Sequence, residues 1–360
     1  MIGWYVHHVG RGHATRAAAV ARQLTLRGQA VTGLGSAPPP GEWRGEWVVL
    51  ERDDRSPEPS DVTAHGVLHW APRHDAGLAA RAATIAEWAA RCRPDLLVVD
   101  VSVEVALLAR LCGVPVVVAA LPGERTDPAH ALAHDVADAL LAPWPAGAHG
   151  HGWPRAWTEK TWAVGSVSRF DGHSRRAPRP HPRPRVLLLW GAGGRATTVA
   201  QVAAARAATP GWEWVEWSPA LPESLLWDAL LDADVVVTHG GQNAVAEVAA
   251  ARRPAVVVAQ PRPFDEQEAT AAALSRMGIA VGLDTWPEAQ RWPELLDRAR
   301  RLGGDAWNRW STGTGAADLA ARLDDLASGL SAGRPEEADD GAEPHPVAAP
   351  RDSTAPGAPR

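Results

Sequence analysis

Short apolar runs alternate with longer stretches in which apolar positions recur every three or four residues, and this alternation predicts parallel βαβ units. Ile2–Val6 reads as a buried strand, and the Gly-rich turn His7–His13 follows it. Over Ala14–Arg27, Ala17, Val20, Ala21 and Leu24 share one helical face, and Gly28 supplies the stop. A second unit runs from a strand at Leu96–Val99, through a helix over Val103–Leu111 stopped by Gly113, to a strand at Val116–Ala119. Pro94 and Pro115 punctuate the strand starts. Residues 36–75, rich in Pro, Gly and charge, show no period. The rhythm resumes with a strand at Val186–Trp190, a turn at Gly191–Gly194 and an alanine-rich helix to Ala208. Val235–Thr238, Asn243–Ala251 and Ala255–Ala259 form another unit, followed by helices over Glu266–Arg276 and Ala316–Leu326.

Between the two halves lies DGHSRRAPRPHPRPR, a stretch stiffened by proline that cannot form a core element. It sets the expected division: a Rossmann-like domain over 1–170, a Pro/Arg-rich linker over 171–185, a second Rossmann-like domain over 186–328, and a Pro- and acid-rich tail over 329–360 expected to be disordered. The length of 360 residues fits two domains. A net charge of −6 argues against a nucleic-acid partner. No run approaches the ~18 apolar residues of a membrane span, and Met1–Val6 enters a strand without a charged leader. A cytoplasmic protein is expected. Cys92 and Cys112 lie in apolar segments that suit buried thiols and are too few for a disulfide framework. The 18 tryptophans are expected to fill core and half-buried positions.

The most informative segment is THGGQNAVAE over 238–247, followed by RPAVVVAQP over 253–261 and FDEQE over 264–268. A buried strand ends at Thr238, and Gly240 and Gly241 let the backbone turn close to a ligand. Asn243 is placed to cap a helix whose free N–H groups favour a phosphate or diphosphate. Glu247, one turn on, is within reach of a ribose diol. The acids and amides over Gln260–Gln267 suit sugar hydroxyls, so the order of features suggests a nucleotide-sugar. Three further features fall at strand ends. VGRGH over 9–13 frees the backbone at Gly10 and Gly12 and starts a helix with His13, whose imidazole suits proton acceptance near neutral pH. Asp100 ends DLLVVD, where open α/β sheets place ligands, and is also placed to cap the next helix. WGAGGR over 190–195 opens the second half with a glycine turn, which by itself reads as a plain tight turn.

The 238–268 segment resembles the donor-binding motif of GT-B glycosyltransferases, especially the MurG-like group and the related UDP-glycosyltransferases. This resemblance implies an α/β GT-B architecture, two Rossmann-like domains facing a cleft. Donor contacts are then implied for His239, Gly240, Gly241, Asn243, Glu247, Asp265, Glu266 and Gln267. Gly191, Gly193, Gly194 and Arg195 are implied at the diphosphate, and the base ring near Trp217–Ser218. By the same resemblance His13 is the general base, Asp100 its orienting partner, and Gly10 and Gly12 form the acceptor loop. The paired glutamines of the MurG type correspond here to Gln267 and Glu268, so N-acetylglucosamine does not carry over as the donor sugar.

The reaction implied is an inverting, metal-independent transfer of a hexosyl group from a nucleotide-diphosphate donor, UDP-linked, to an acceptor hydroxyl. It needs no cofactor beyond the nucleotide-sugar co-substrate. A hydrolase or epimerase of the same fold, or a non-catalytic nucleotide-sugar-binding module, are the alternatives. The acceptor loops fall at 36–75 and 121–155. MurG-like relatives use lipid-linked acceptors at a membrane surface and others use small soluble molecules, which leaves the acceptor and peripheral membrane contact open. No metal is expected. Asp232 and Asp234 spell DxD but directly precede a buried strand, Asp53–Asp54 lies in a polar loop, and His130 and His134, at i and i+4, are expected to face solvent.

Overall fold

The computed structural model describes residues 1–8, 11–190, 196–218, 221 and 224–332, with Arg11 described in its backbone only. The first domain runs β1 (Ile2–Val6), α1 (Arg11–Leu26), β2 (Val31–Gly35), β3 (Glu46–Val49), α2 (Ala76–Cys92), β4 (Leu96–Asp100), α3 (Val103–Leu111), β5 (Val116–Ala119), α4 (Pro128–Val136), β6 (Ala139–Ala142), α5 (Arg155–Glu159) and β7 (Thr161–Ala163). Its seven strands pair in parallel in the order β3-β2-β1-β4-β5-β6-β7. The order reverses between β1 and β4, so the loops after these two strands open the crevice where ligands bind in such sheets. Both strands are buried along their whole length, as strands covered on two faces must be.

The second domain runs β8 (Arg185–Leu189), α6 (Val199–Ala208), β9 (Glu213–Glu216), α7 (Ser224–Leu231), β10 (Val235–His239), α8 (Gln242–Ala251), β11 (Ala255–Val258), α9 (Glu266–Arg276), β12 (Val281–Leu283) and α10 (Trp292–Leu302), with short 3₁₀ turns before α9 and on either side of α10. Its five parallel strands order as β12-β11-β10-β8-β9, with the reversal between β8 and β10. The linker runs beside this domain, clasped by Asp232. That carboxylate takes Arg176 Nη1 at 2.5 Å, Arg179 Nη1 at 3.1 Å and the Arg179 backbone N–H at 3.2 Å. Asp234 accepts the Arg185 backbone N–H at 2.7 Å. Both acids of the DxD sequence thus hold the linker and the first strand of the domain.

The last helix, α11 (Gly315–Ala332), departs from the expected division. It packs on α1 in the first domain, with Leu319, Ala320, Leu323 and Ala327 in one buried cluster with Ala17, Val20, Ala21 and Leu24. Asp324 takes Arg27 Nε at 3.0 Å and Gln29 Nε2 at 2.6 Å beside it. The boundary at 328 therefore cuts a helix, and periodicity does not reveal which domain its apolar stripe covers. Residues 333–360, most of the expected tail, lie outside the described residues. Cys92 is half-buried and Cys112 is exposed, against the expectation of two buried thiols, because Cys112 falls at the outer end of α3. Trp4, Trp88, Trp292 and Trp307 are among the largest fully buried side chains, as core filler should be.

Candidate active site

His13 is the third residue of α1, on the loop side of β1, and Asp100 is the last residue of β4, so the reversal of strand order brings them together. His13 Nδ1 lies 2.9 Å from Asp100 Oδ1. A carboxylate only accepts, so in the neutral ring the proton sits on Nδ1 and Nε2 has the lone pair; Arg16 Nη2, 3.4 Å from the same Nδ1, gives its proton to Asp100 instead. Ser102, not Asp100, caps α3 by accepting the Val105 N–H at 3.2 Å, which removes the capping alternative for Asp100. Burial opposes ionisation of Asp100, but the charges of Arg16 and His13 and their hydrogen bonds outweigh it and hold the carboxyl well below the usual carboxylate range. Arg16 is a site residue that the motifs do not mark. It follows His13 by one helical turn and grips both Asp100 oxygens, Nε to Oδ2 at 3.1 Å and Nη2 to Oδ1 at 2.5 Å. Its spacing of three residues from His13 is the one signal the sequence offers.

The head of α8 faces this pair from the other domain. Gly241 is the N-cap and Asn243 is inside the helix, so Asn243 does not cap as expected. Its Nδ2 instead donates to Gly12 O at 3.2 Å across the cleft, and Gln242 Oε1 accepts Arg16 Nη1 at 2.6 Å. The first amides of α8 have no acceptor within the helix. Gly240 and Gly241 are needed for close packing. A Cβ on Gly240 would stand 2.7 Å from Gln267 O, and one on Gly241 would stand 2.5 Å from the His239 ring. His239 Nδ1 accepts the Gly241 N–H at 3.0 Å, and burial pushes its pKa down to about 4, so the ring is neutral with its proton on Nε2. It stacks on Trp190 at 6.0 Å.

Three expected donor contacts sit differently from the sequence reading. Gln267 is buried, and its Oε1 accepts the N–H groups of Gly240 at 3.0 Å and Gln260 at 3.1 Å, tying two loops together. An amide at a loop edge gives no sign in sequence of which way it turns. Glu247 is buried against Arg169, with Nη2 to Oε1 at 2.7 Å, a partner no motif announces. Asp265 is exposed, while its neighbour Glu266 turns inward, its carboxyl pushed up by burial against the opposing charges of Arg125, His13 and Arg16. Gly10, Gly191, Gly193, Gly194 and Arg195 lie outside the described residues.

A cavity of about 560 Å³ opens from His13 into the first domain. Its walls come from both expected acceptor loops, through Asp53, Asp54, His69 and Trp70 and through Leu121, Arg125, His130 and His134. The floor is ordered by the buried Arg81, which binds Tyr5 Oη at 2.6 Å, Ser36 Oγ at 2.7 Å and Glu51 O at 3.1 Å. Glu104 fixes one wall by accepting the N–H groups of His69 at 2.8 Å and Trp70 at 2.9 Å. The roof comes from the second domain. Phe264 lies edge-on to His130 at 4.9 Å and under Arg125 at 4.4 Å, and its carbonyl accepts the Glu124 N–H at 3.0 Å. Phe264 and Asp265 both have left-handed backbones, with φ of 63° and 53°, a conformation costly for side-chain-bearing residues. Gly123 is what admits this roof, since a Cβ there would meet Phe264 O at 1.9 Å.

His130 and His134 do not face solvent. His134 is buried against Trp157 at 4.7 Å and Trp153 at 5.3 Å, because α4 turns that face inward. His69, Asp127 and His130 come close enough to resemble metal ligands. However, Arg125 Nη1 lies 3.2 Å from His130 Nε2 and can only donate, so His130 carries its proton on Nδ1 and gives it to Asp127. His69 Nε2 lies 3.0 Å from the other Asp127 oxygen, and the three groups satisfy one another. At the second such cluster, His8 approaches Asp54 at 3.3 Å and Asp53 at 4.0 Å. Asp53 pairs with Arg81 at 3.2 Å, and Asp54 takes Arg52 Nε at 2.8 Å.

Residues 223–292 match the glycosyltransferase family 28 C-terminal domain. A search by sequence among curated proteins finds no match. The structure is similar to that of the glycotransferase of kitacinnamycin (TM-score 0.63, 19% identity, 91% of this chain and 98% of that one). It is also similar to MurG from Acinetobacter baumannii (TM-score 0.62, 16% identity, 90% and 99%). A putative UDP-N-acetylglucosamine 2-epimerase from Listeria monocytogenes aligns equally well (TM-score 0.63, 14% identity, 91% and 97%). With its two parallel sheets and these likenesses the chain has the GT-B fold, and within its second domain residues 223–292 match the glycosyltransferase family 28 C-terminal domain.

Proposed function

We propose that the protein is an inverting glycosyltransferase that moves a sugar from a nucleoside diphosphate, UDP in first place, to a hydroxyl of an acceptor held in the first-domain cavity. The observation that carries this reading is the His13–Asp100 pair, which stands between that cavity and the head of α8. With Nδ1–H given to Asp100, the free Nε2 of His13 takes the acceptor proton, and Asp100 stabilises the imidazolium that forms. The acceptor oxygen then attacks the anomeric carbon from the side opposite the diphosphate, forming one C–O bond as the other breaks. The diphosphate leaves toward the helix start at Gly241–Asn243, where the N–H groups of the first turn, from Gln242 on, meet the developing charge without a metal. Glu247, held by Arg169, is the ribose ligand, and Glu266 borders the donor sugar.

The equal likeness to an epimerase means that the fold does not choose between the reactions. The cavity does. An epimerase works on its nucleotide-sugar alone, whereas about 560 Å³ beside the base, on the first-domain side, is room for a second molecule.

The test is product analysis by mass spectrometry with a panel of UDP- and dTDP-sugars and hydroxyl acceptors. We expect a glycosylated product from wild type and none from His13→Ala, while UDP still raises the melting temperature of that variant. Glu247→Ala should lose the UDP-induced rise. Sugar release that no acceptor accelerates would mean a hydrolase, and transfer by His13→Ala at the wild-type rate would remove His13 as the base.

A further inference from the structure

We propose that Arg16 is a positioning residue that makes the alignment of His13 and Asp100 depend on contact with the second domain. Its guanidinium is a rigid fork, and three of its nitrogens are engaged. Nε and Nη2 hold the two oxygens of Asp100 at 3.1 and 2.5 Å, and Nη1 holds Gln242 Oε1 at 2.6 Å. Arg16 and Asp100 are both buried, so water does not compete for these bonds. Asp100 Oδ1 is the atom shared by Arg16 Nη2 and His13 Nδ1. The plane of the carboxylate is thus set by the fork, and the plane of the imidazole by the carboxylate.

Gln242 belongs to the other domain, 226 positions along the chain, at the first turn of α8. Among the described residues its Nε2 is buried with no hydrogen-bond partner, an arrangement that proteins seldom tolerate. The amide is turned so that its oxygen reaches Arg16, at the expense of its own donor. Beside it Asn243 holds the carbonyl of Gly12, the residue before His13. The head of α8 therefore touches α1 on both sides of His13.

If α8 moves away, Nη1 loses its acceptor, the fork can swing, and Asp100 no longer presents Oδ1 squarely to His13. The base is fully aligned only while the helix that receives the leaving diphosphate lies against it. Such a device keeps the imidazole from activating water when the cleft is open. The chemical meaning rests on the reading under Proposed function, but the mechanical coupling stands on the contacts alone and is tested separately.

The experiment compares full-length wild type, Gln242→Ala, Gln242→Glu and Arg16→Met, each checked for folding by circular dichroism. The ring-nitrogen signals of His13 are recorded on ¹⁵N-histidine-labelled protein and assigned with His13→Ala. We expect a single Nδ1–H tautomer in wild type. Gln242→Glu should keep it, since glutamate retains the acceptor for Nη1 and drops the orphaned donor. Gln242→Ala and Arg16→Met should lose it, giving averaged or shifted Nδ1 signals. With a donor–acceptor pair in hand, Gln242→Ala should lower kcat about 10-fold while the donor KM stays within about twofold, as misalignment of a base would do. A His13 spectrum unchanged in Gln242→Ala would overturn the coupling. UDP at millimolar concentration, read by thermal shift on wild type, judges the donor reading independently. No shift there would count against the proposed function, while the His13 spectra would still decide for or against the coupling through Arg16.

Discussion

Asp100 shows how a single side chain acquires two duties. It is the acceptor that fixes the His13 tautomer and the counter-ion of a buried guanidinium. Asp100→Asn keeps the shape but presents an amide that can donate to Nδ1, which favours the wrong tautomer. It also leaves Arg16 without its compensating charge. We expect kcat to fall by at least about 100-fold with little change in donor affinity, measured by steady-state kinetics and UDP thermal shift. The meeting of His13 and Asp100 is legible in the sequence because Asp100 ends one recognisable apolar run and His13 follows the Gly-rich turn after another, where parallel sheets open. Their neighbours are not. Arg16 lies inside a helix whose pattern says only that it faces away from the core, and its burial depends on a carboxylate 84 positions away. Gln267 and Glu247 show the same limit in reverse. Residue type and spacing mark them as ligand readers, while the groups that hold them, backbone amides for one and Arg169 for the other, leave no mark in the sequence.

The loop from β10 to α8 works through contact distances that leave no room for a side chain. Gly240→Ala would drive a methyl group into the Gln267 carbonyl, and because that obstacle is backbone, the loop itself must shift. We expect about 1–3 kcal/mol of destabilisation in urea titrations, together with a weakened response to UDP. Strands and helices with strong periods are readable, including β1, β4, α3, β5, β10, β11 and α9. Those that hide do so for local reasons. β2 carries two glycines in five residues, and β3 is half exposed at the sheet edge. α4 begins with proline and has two inward histidines in place of apolar residues, so its face reads as polar. The roof over the acceptor cavity is invisible for a different reason. Two side-chain-bearing residues in left-handed backbone follow no sequence rule, and they are held by Gly123–Arg125 of the other domain.

Taken together, the buried and half-buried histidines give the molecule a common sensitivity to acid. Burial pushes His7, His134, His149 and His239 down to about 4, from an ordinary 6.5. Between pH 6.5 and 4 the unfolded chain takes up protons that the folded one refuses, so stability is fully present above 6.5 and falls as pH drops toward 4. Each histidine contributes a slope of up to ~1.4 kcal/mol per pH unit. A melting temperature that falls steeply over this window, and less steeply in His134→Gln, is the expected result of scanning calorimetry. The return of α11 to α1 makes a second prediction. Leu323→Ala should cost about 2–5 kcal/mol, and the loss should appear in unfolding of the first domain although the residue lies near the far end of the chain. That return also decides how the protein can be taken apart. A fragment ending at the proline-rich bridge would leave the oily flank of α1 bare and should precipitate when expressed alone. The same fragment with residues 315–332 grafted behind a flexible tether regains its cover, and it is the smallest piece of the amino-terminal half expected to stay in solution by itself.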